Sequence, residues 1–357
     1  EARAQGFETE ILRSEARDKK PRPNLIIKMD CGADENLIIV THLDVVLLKE
    51  EWKRKPNKMR KEGEKIMGLG VADDKGAIAV AMGAMKDLKG NACGKNIILI
   101  VSCDEEIGGG HGIKFIAEQH GNRFDPKNCS CLVMDSFLNY IGIGCSGVVR
   151  GKINFKSIGG HAAYPFRHPN IVHKVVPFLN DLKEYEKKRE KAVSQVDAPE
   201  FAPHKKVWGR FNITVVRSGV KSNVIPAGFA IGFDIRALPE EKIKKVMNEF
   251  RRFAKKLMKK HGLKGRITLT GTEGYFVPTD SPFVIEFTQS VKKVFRKEIG
   301  LAADLGGTDG RFIARIGIPT VSFGPGGENQ HTPNESITID ELTKSKKMLM
   351  EFCRATQ

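Results

Sequence analysis

The fold of this chain is decided by the stretch Leu37-Ile38-Ile39-Val40-Thr41-His42-Leu43-Asp44. An unbroken apolar run, mostly of β-branched residues, is typical of a buried strand. A histidine and an aspartate follow directly where the run ends. In open α/β sheets, ligands bind beyond the carboxyl ends of the strands. We therefore expect His42 and Asp44 to lie where the chemistry takes place.

Two further apolar runs end in acidic residues in the same way. The run Ile97–Val101 leads into Glu105 and Glu106, and the run Cys131–Met134 ends at Asp135. Because these runs are predicted to be strands of the same sheet, their acidic ends are expected at the same edge. Glu105 and Glu106 are adjacent, so one of them can bind a metal while the other remains free to move protons.

Two more candidate side chains lie in segments rich in turns. Asp73 is at the centre of Gly68–Gly76, where glycines let the backbone approach a ligand closely, and His331 lies in a late segment. Two divalent ions about 3.5–4 Å apart need a bridging carboxylate, with carboxylate or imidazole ligands on each side. Asp73 suits the bridging position, and Asp44 can hold the second ring nitrogen of His42. Together these residues indicate a two-metal hydrolase.

Each of these features taken alone has an ordinary explanation. A His-x-Asp triplet is more often a surface turn, and an Asp-Glu-Glu triplet is usually a solvated acidic loop. Asp135 could cap a helix, and His331 could be an ordinary loop residue. Their shared placement around strand-like runs in one predicted domain favours the metal site.

Helices and strands alternate in the first part of the chain, residues 1–148, and again in residues 276–357. This alternation predicts an α/β fold with a mixed, mostly parallel sheet and flanking helices. Residues 149–275 differ, because period-two strands are separated by helices at Ile171–Arg189 and Pro239–His261. Their strand-helix-strand-strand-helix-strand order is that of the ferredoxin-like split unit. We therefore predict an α+β domain inserted into a larger catalytic domain, with residues 190–208 as a loose excursion inside the insertion.

The bulk composition limits the classes of protein that fit. The 357 residues carry a net charge of +16, and no apolar run approaches the length of a membrane span. The basic residues are spread over Lys53–Lys65, Lys183–Lys191 and Lys242–Lys260, and no basic motif interleaved with aromatic residues is present, which favours a solvated surface over a nucleic-acid interface. Seven scattered cysteines indicate reduced thiols and a cytoplasmic location. Because the chain begins at Glu1 rather than Met, we expect the natural N-terminus to lie upstream.

These residues stand in motifs that are similar to those of a known family. The motifs are Thr41-His42-Leu43-Asp44, Gly68-Leu69-Gly70-Val71-Ala72-Asp73-Asp74-Lys75-Gly76, Asp104-Glu105-Glu106, Gly159-Gly160-His161, Ser222-Asn223, Asp234-Ile235-Arg236, Gly306-Gly307-Thr308-Asp309-Gly310-Arg311 and His331 with Glu335. In this order the chain resembles the aminoacylase/carboxypeptidase group of dinuclear zinc hydrolases. That group includes acetylornithine deacetylase, succinyl-diaminopimelate desuccinylase and several dipeptidases. The resemblance covers nearly the whole chain.

The resemblance implies two sets of metal ligands that share one carboxylate. One metal is expected on His42, Asp73 and Asp135, and the other on Asp73, Glu106 and His331. Zinc is favoured by the mixture of imidazole and carboxylate ligands, although cobalt or manganese can fill such sites.

The resemblance also implies catalytic roles. Glu105 is expected to be the general base and Asp44 the partner of His42. His161 is expected to come from the lid domain of a partner subunit and to stabilise the oxyanion. The peptide bond between Asp73 and Asp74 is expected to be cis.

Substrate binding and assembly follow from the same resemblance. Asn223, Arg236 and Arg311 are expected to bind a substrate carboxylate, and Gly306 lies in a glycine-rich loop that belongs to the same site. The inserted domain is expected to act as a lid and to form a homodimer. Neither a nucleic acid nor a membrane is expected as a partner.

The reaction that these expectations favour is hydrolysis of an amide bond in a small substrate with a free carboxylate, by a dipeptidase or carboxypeptidase. Asp135, where deacylases commonly carry Glu, favours the peptidase branch, whereas Leu69 and Ala162 depart from the usual motifs. The alternative is an N-acyl-amino-acid deacylase with the same chemistry. A catalytically silent binding scaffold is disfavoured by the intact Glu105, and a two-metal phosphoesterase by the carboxylate-binding residues.

Overall fold

The computed structural model describes residues 1–47, 52 and 55–354. Lys53 and Arg54, in the first basic segment, lie outside the described residues. The chain divides into two compact units: Glu1–Gly144, Val277–Ala302 and Thr308–Gln357 form the first, and Cys145–Phe276 with Ala303–Gly307 form the second. Within the described part of the chain, no helix combines the length and the apolar character that crossing a membrane requires.

The first unit begins with strands and two helices. In chain order these are β1 (Glu8–Glu15), β2 (Pro21–Met29), β3 (Glu35–His42), β4 (Arg60–Glu62), β5 (Lys65–Met67), α1 (Lys75–Leu88), β6 (Lys95–Ser102), α2 (Ile113–His120), β7 (Cys129–Val133) and β8 (Ile141–Cys145). The apolar run of β3 is fully buried, with Leu37, Ile38 and Ile39 at 0% exposure. This burial explains why the strand has no polar face.

The second unit contains the inserted α+β arrangement. Its elements are β9 (Gly147–Lys156), β10 (Gly160–His161), α3 (Ile171–Leu182), α4 (Glu184–Glu190), β11 (Val193–Asp197), β12 (Lys206–Trp208), β13 (Arg210–Ser218), β14 (Val224–Ile225), β15 (Gly228–Ala237), α5 (Ile243–Lys260), β16 (Gly265–Thr272) and β17 (Tyr275–Phe276). An antiparallel sheet in the order β13-β15-β9-β16 buries one face against α3 and α5. This is the strand order of the ferredoxin-like split unit.

Two predictions about the second unit were wrong. The helix predicted over Ile171–Arg189 is divided at Lys183 into α3 and α4; in α4, Tyr185 is buried in the core and Arg189 pairs with Glu241 at 2.5 Å. The excursion predicted over 190–208 contains the antiparallel pair β11 and β12, whose Val196 and Val207 are buried. Sparse apolar residues among prolines concealed this pair in the sequence.

The boundaries of the second unit differ slightly from the predicted insertion of residues 149–275. The unit starts at Cys145 and also includes Ala303–Gly307. The reason is a pair of hydrogen bonds, in which the backbone N–H of Ser146 donates to the carbonyl oxygens of Asp304 (3.0 Å) and Gly306 (3.1 Å). Gly306, predicted within the second part of the catalytic domain, therefore belongs to the second unit.

The chain then completes the first unit. The remaining elements are α6 (Pro282–Phe295), β18 (Leu301–Asp304), α7 (Gly310–Arg315), β19 (Thr320–Ser322), β20 (Ser336–Thr338) and α8 (Ile339–Cys353). Its main sheet contains the strand order β1-β2-β6-β3-β7-β19-β8, with β18 also paired with β8, and β20, β5 and β4 form a small separate sheet. The pairs β6–β3, β3–β7 and β7–β19 are parallel, whereas β1–β2, β2–β6 and β19–β8 are antiparallel. The predicted α/β class with a mixed sheet is confirmed, and its parallel pairs occupy the centre.

The register of the central strands brings their polar ends together. His42 at the end of β3 lies opposite Ser102 at the end of β6, and Val40 lies opposite Val133 at the end of β7. The segments that follow β6 and β7 therefore start beside His42, and these segments carry Glu105, Glu106 and Asp135.

Candidate metal centre

His42 is buried at the carboxyl end of β3 and surrounded by carboxylates. Its Nε2 lies 2.8 Å from Oδ1 of Asp73 and 4.0 Å from Oδ2 of Asp135. Its backbone N–H donates to the buried carboxylate of Asp74 at 3.2 Å. Burial lowers the pKa of His42, but hydrogen bonds to Asp44 and Asp73 outweigh burial and raise the pKa above its usual value. This environment favours a positive charge at the ring nitrogen.

Asp44 supports both the histidine and the acidic pair. Nδ1 of His42 lies 3.1 Å from the backbone oxygen of Asp44 and 3.5 Å from its carboxylate. The same carboxylate accepts the backbone N–H groups of Glu105 (3.2 Å) and Glu106 (3.1 Å). Asp44 thus fixes the orientation of the imidazole and the start of the acidic segment, a function that outer-shell carboxylates serve in metal sites.

Asp73 lies between two histidines. Oδ1 of Asp73 faces Nε2 of His42, while Oδ2 lies 2.8 Å from Nε2 of His331. His331 also lies 3.1 Å from the carboxylate of Glu106, and its backbone has φ of 60°, which is uncommon outside glycine. The two oxygens of Asp73 thus face two separate groups of ligands. The peptide bond between Asp73 and Asp74 is cis, as expected.

Two groups of side chains could each hold a cation. They are His42 with Asp73 and Asp135, and Asp73 with Glu106 and His331; the potential ligand atoms in each group lie within 4.8 Å of one another. Imidazole nitrogens and carboxylate oxygens are ligands that zinc prefers. Oε1 of Glu106 is buried and has no hydrogen-bond partner among the described residues. The donor set therefore fits two divalent cations, and Asp73 belongs to both groups.

Glu105 lies outside both ligand groups but close to their charges. Burial and the negative charge of Asp135 raise the pKa of Glu105 to about 7, although the positive charges of His42 and Arg311 oppose this. A carboxyl group with a pKa near neutrality can accept and return a proton under ordinary conditions.

Three acidic residues near the centre had been given no role from the sequence. Asp74 holds the backbone of His42. Glu335 is buried, and its carboxylate accepts the backbone N–H groups of Gly70 (2.7 Å), Ala72 (2.8 Å) and Asp73 (3.1 Å). Asp309 is buried with no hydrogen-bond partner for either oxygen among the described residues. Each lies in a motif that the sequence displayed, but a motif does not reveal which backbone groups a carboxylate will meet.

The residues expected to bind substrate are divided between the two units. Arg311 lies in α7 of the first unit, with its guanidinium 4.6 Å from the ring of Phe312. In the second unit, His161 in β10 is paired opposite Val224 in β14, next to Asn223, whose backbone oxygen accepts the N–H of Ala162 at 3.0 Å. Arg236 in β15 donates to Asp234 at 2.7 Å, and Gly306 is exposed.

The sequence and the fold were compared with those of known proteins. Residues 38–355 match peptidase family M20/M25/M40. The chain is 28% identical over 353 residues to an uncharacterised metallohydrolase of Methanocaldococcus jannaschii, covering 93% of this chain and 84% of that protein. Its fold is similar to that of an M20 family metallo-carboxypeptidase of Sulfolobus solfataricus, with a TM-score of 0.81, 21% identity and coverage of 98% of this chain and 91% of the other. It is also similar to the dipeptidase Dug1p of Saccharomyces cerevisiae, with a TM-score of 0.79, 14% identity and coverage of 98% and 87%.

Proposed function

Because the chain belongs to peptidase family M20/M25/M40, we propose that it hydrolyses the amide bond of a dipeptide or of the C-terminal residue of a short peptide. The observation that carries the proposal is the pair of ligand groups sharing Asp73, with Glu105 beside them but outside both. A carboxyl group that remains unliganded next to a two-metal site is suited to move protons.

His42, Asp73 and Asp135 would hold one cation, and Asp73, Glu106 and His331 the other. When bound, such a pair of cations makes water more acidic and polarises a carbonyl group. We propose zinc, with cobalt or manganese as alternatives, because two imidazoles and three carboxylates make up the donor set.

Glu105 would act as the general base. Its carboxylate would take the proton of the attacking water and return it to the leaving nitrogen, which departs as an amine. Burial of Glu105, which favours the protonated form of its carboxyl group, would help it to take up the proton before passing it on. Asp44 would assist by holding the backbone N–H groups of Glu105 and Glu106.

We propose that the second unit supplies groups that recognise the substrate. Arg236 and Asn223 would bind the terminal carboxylate, together with Arg311 and the loop at Gly306, and His161 would donate a hydrogen bond to the developing oxyanion. His161 would serve the centre of a partner subunit, which requires a homodimer formed through the second unit. The exposed position of His161 supports a role outside its own core.

The substrate class can be tested directly with the zinc-loaded full chain. A panel of dipeptides would be compared with N-acetyl and N-succinyl amino acids and with a generic phosphoester, each with and without chelator. We expect the dipeptides to give the highest kcat/KM and the chelator to abolish turnover. Faster cleavage of the N-acyl amino acids would instead identify a deacylase, and hydrolysis of the phosphoester alone would reject amide hydrolysis.

We also propose a cytoplasmic location, which the thiol chemistry supports. None of the seven cysteines, all of which the structure describes, forms a disulfide, and four of them are buried. Reduced thiols of this kind are usual in proteins of a reducing compartment.

A further inference from the structure

Arg210, at the start of β13, is a largely buried guanidinium group without a carboxylate partner. Its Nε donates to the backbone oxygen of Trp208 at 3.2 Å, and its Nη2 donates to Oγ of Ser146 at 2.6 Å. Its guanidinium carbon lies 5.1 Å from the ring centroid of Trp208. Among the residues that the structure describes, no acidic side chain forms an ion pair with Arg210. A guanidinium carries five N–H donors, so donors remain available.

The neighbours of Arg210 make its charge harder to accommodate. Arg210 lies directly opposite Arg236 across the β13–β15 pair, so the two side chains emerge on the same face of the sheet. Burial and the positive charge of Arg236 lower the pKa of Arg210 to about 10. The carboxylate of Asp234, whose negative charge acts on Arg210, already accepts from Arg236 at 2.7 Å and lies 3.9 Å from Arg150.

This cluster therefore has an excess of positive charge. Arg150 and Arg236 both lie within 3.9 Å of the carboxylate of Asp234, and Arg210 adds a third guanidinium group opposite Arg236. By contrast, the neighbouring Arg189 is neutralised by Glu241, which it contacts at 2.5 Å. Buried charges in proteins are normally paired, and a bidentate carboxylate is the partner that the guanidinium fork fits best. A ligand with two carboxylates would balance the excess.

We propose that Arg210 and Arg236 together form a binding site for a dicarboxylate, so that the preferred substrate ends in aspartate or glutamate. This inference rests on the proposed function. Arg236 would hold the terminal carboxylate, as already proposed, and Arg210 would hold the carboxylate of the last side chain. The proposed site selects only the C-terminal residue of the substrate, not the residue on the other side of the scissile bond.

The selectivity test compares Ala-Glu with Ala-Gln, which differ only in the charge of the last side chain. For the zinc-loaded full chain we expect kcat/KM to be about tenfold or more higher for Ala-Glu, as charge-assisted hydrogen bonds imply. Arg210→Gln should bring this ratio close to one, and Arg210→Lys should restore part of it. Arg266→Gln, which removes an exposed arginine in β16 of the same sheet, should leave the ratio unchanged.

A purely structural role for Arg210 would lower the melting temperature of Arg210→Gln without changing the ratio. That outcome, or a wild-type ratio near one, would overturn the proposal. Arg210→Lys separates a loss of selectivity from misfolding. This variant keeps the positive charge, so a folded Arg210→Lys protein should regain part of the ratio that Arg210→Gln loses.

A binding measurement separates this inference from the proposed function. Calorimetric titration of the zinc-loaded chain with glutarate and with pentanoate compares a dicarboxylate with a monocarboxylate of equal length. We expect tighter binding of glutarate, lost in Arg210→Gln and kept in Arg266→Gln, even if no amide in the panel were hydrolysed. Equal affinity of the wild-type protein and Arg210→Gln for glutarate would reject the site. Binding of inorganic phosphate without any binding of glutarate would also reject it.

Discussion

Glu105 and Glu106 are neighbours in the sequence, but their carboxyl groups lie in different surroundings. Glu106 lies 3.1 Å from Nε2 of His331 and belongs to a ligand group, whereas Glu105 belongs to neither group. The charge of Asp135, added to burial, raises the pKa of Glu105 to about 7. These positions support the two proposed roles, in which Glu106 would bind a cation and Glu105 would carry a proton.

This separation predicts the behaviour of Glu105→Ala. The variant should retain both zinc ions, while kcat/KM for the best substrate should fall by about 10²–10⁴-fold because the proton acceptor is lost. Steady-state kinetics and metal analysis on the same preparation would measure both properties. Glu298→Ala, at an exposed residue paired with Lys292, is a matched control and should keep full activity. Wild-type turnover in Glu105→Ala would show that another group is the base.

His331 leads to a different prediction, because it belongs to only one ligand group. In His331→Ala we expect the cation held by His42, Asp73 and Asp135 to remain and the other to be lost, since one imidazole is missing from its donor set. Zinc content should therefore fall by about half. His173→Ala, at an exposed histidine outside both groups, should not change the zinc content. Loss of both ions, or of neither, would contradict two separable ligand groups.

At the scale of elements, the segment Gly68–Gly76 is held in place by a single distant residue. The carboxylate of Glu335, just before β20, accepts three backbone N–H groups of this segment, including that of Asp73 itself. Gly70 has a φ of 75°, and a side chain there would collide with Val45 and Lys75. The position of Asp73, the proposed bridging ligand, is thus set by a buried contact between segments more than 250 residues apart.

Glu335→Ala should therefore disturb both stability and metal binding. Each buried N–H left without an acceptor costs about 1–3 kcal/mol, so the free energy of unfolding should fall by several kcal/mol. Glu335→Gln keeps one carbonyl oxygen and should lose less. Denaturant unfolding and zinc titration would measure the two effects. If Glu335→Ala bound zinc as tightly as the wild-type protein, the carboxylate would not be needed to place Asp73.

Helices and strands could be predicted from the sequence where a local pattern, such as a run of consecutive apolar residues, was sufficient to identify them. Buried strands such as β3 and β6 are unbroken apolar runs, and the residues that follow them are the ones that meet at the metal centre. β1 was not predicted, because Glu8–Glu15 is largely polar and forms a strand only by pairing with β2. The small sheet of β4, β5 and β20 was missed for the same reason: its strands have three residues each and come from distant parts of the chain.

The same limit applied to side chains in the candidate site. The ligand groups could be anticipated because histidines and acids after strands follow a known motif order. The contacts of Glu335 and the lone guanidinium of Arg210 depend on which backbone and side chains lie opposite them after folding. No periodicity or spacing in the sequence encodes such a pairing.

At the scale of the whole molecule, the overall charge and the charge at the candidate metal centre are opposite in sign, and stability is expected to depend on both pH and metal. The chain has a net charge of +16, yet carboxylates crowd the metal centre. In the absence of metal, burial raises the pKa of Glu105 to about 7, from an ordinary 4.5, and that of Asp309 to about 7, from an ordinary 3.8. For both groups, the charge of a neighbouring carboxylate adds to this effect.

These shifts predict how the stability of the metal-free protein changes with pH. Between about pH 5 and about pH 7 the folded protein holds protons on Glu105 and Asp309 that the unfolded chain has already released, so stability falls as pH rises. The zinc-loaded protein should behave differently, because zinc binds deprotonated ligands more tightly and stabilises the folded state by mass action. The difference in melting temperature between zinc-loaded and chelator-treated protein should therefore widen from about pH 5 to about pH 8.

Scanning calorimetry at several pH values, with excess chelator or with zinc, would measure this difference. Asp309→Asn removes one of the two titrating groups without removing a proposed metal ligand. In the metal-free state it should flatten the fall in stability with pH, because an amide neither binds nor releases a proton in this range. The difference in melting temperature between zinc-loaded and chelator-treated protein could instead stay constant or narrow as pH rises. That result would mean that the cations do not compensate the negative charge of the buried carboxylates. The two-metal proposal would then have to be abandoned, since it requires bound cations to compensate the negative charges among the five proposed ligands.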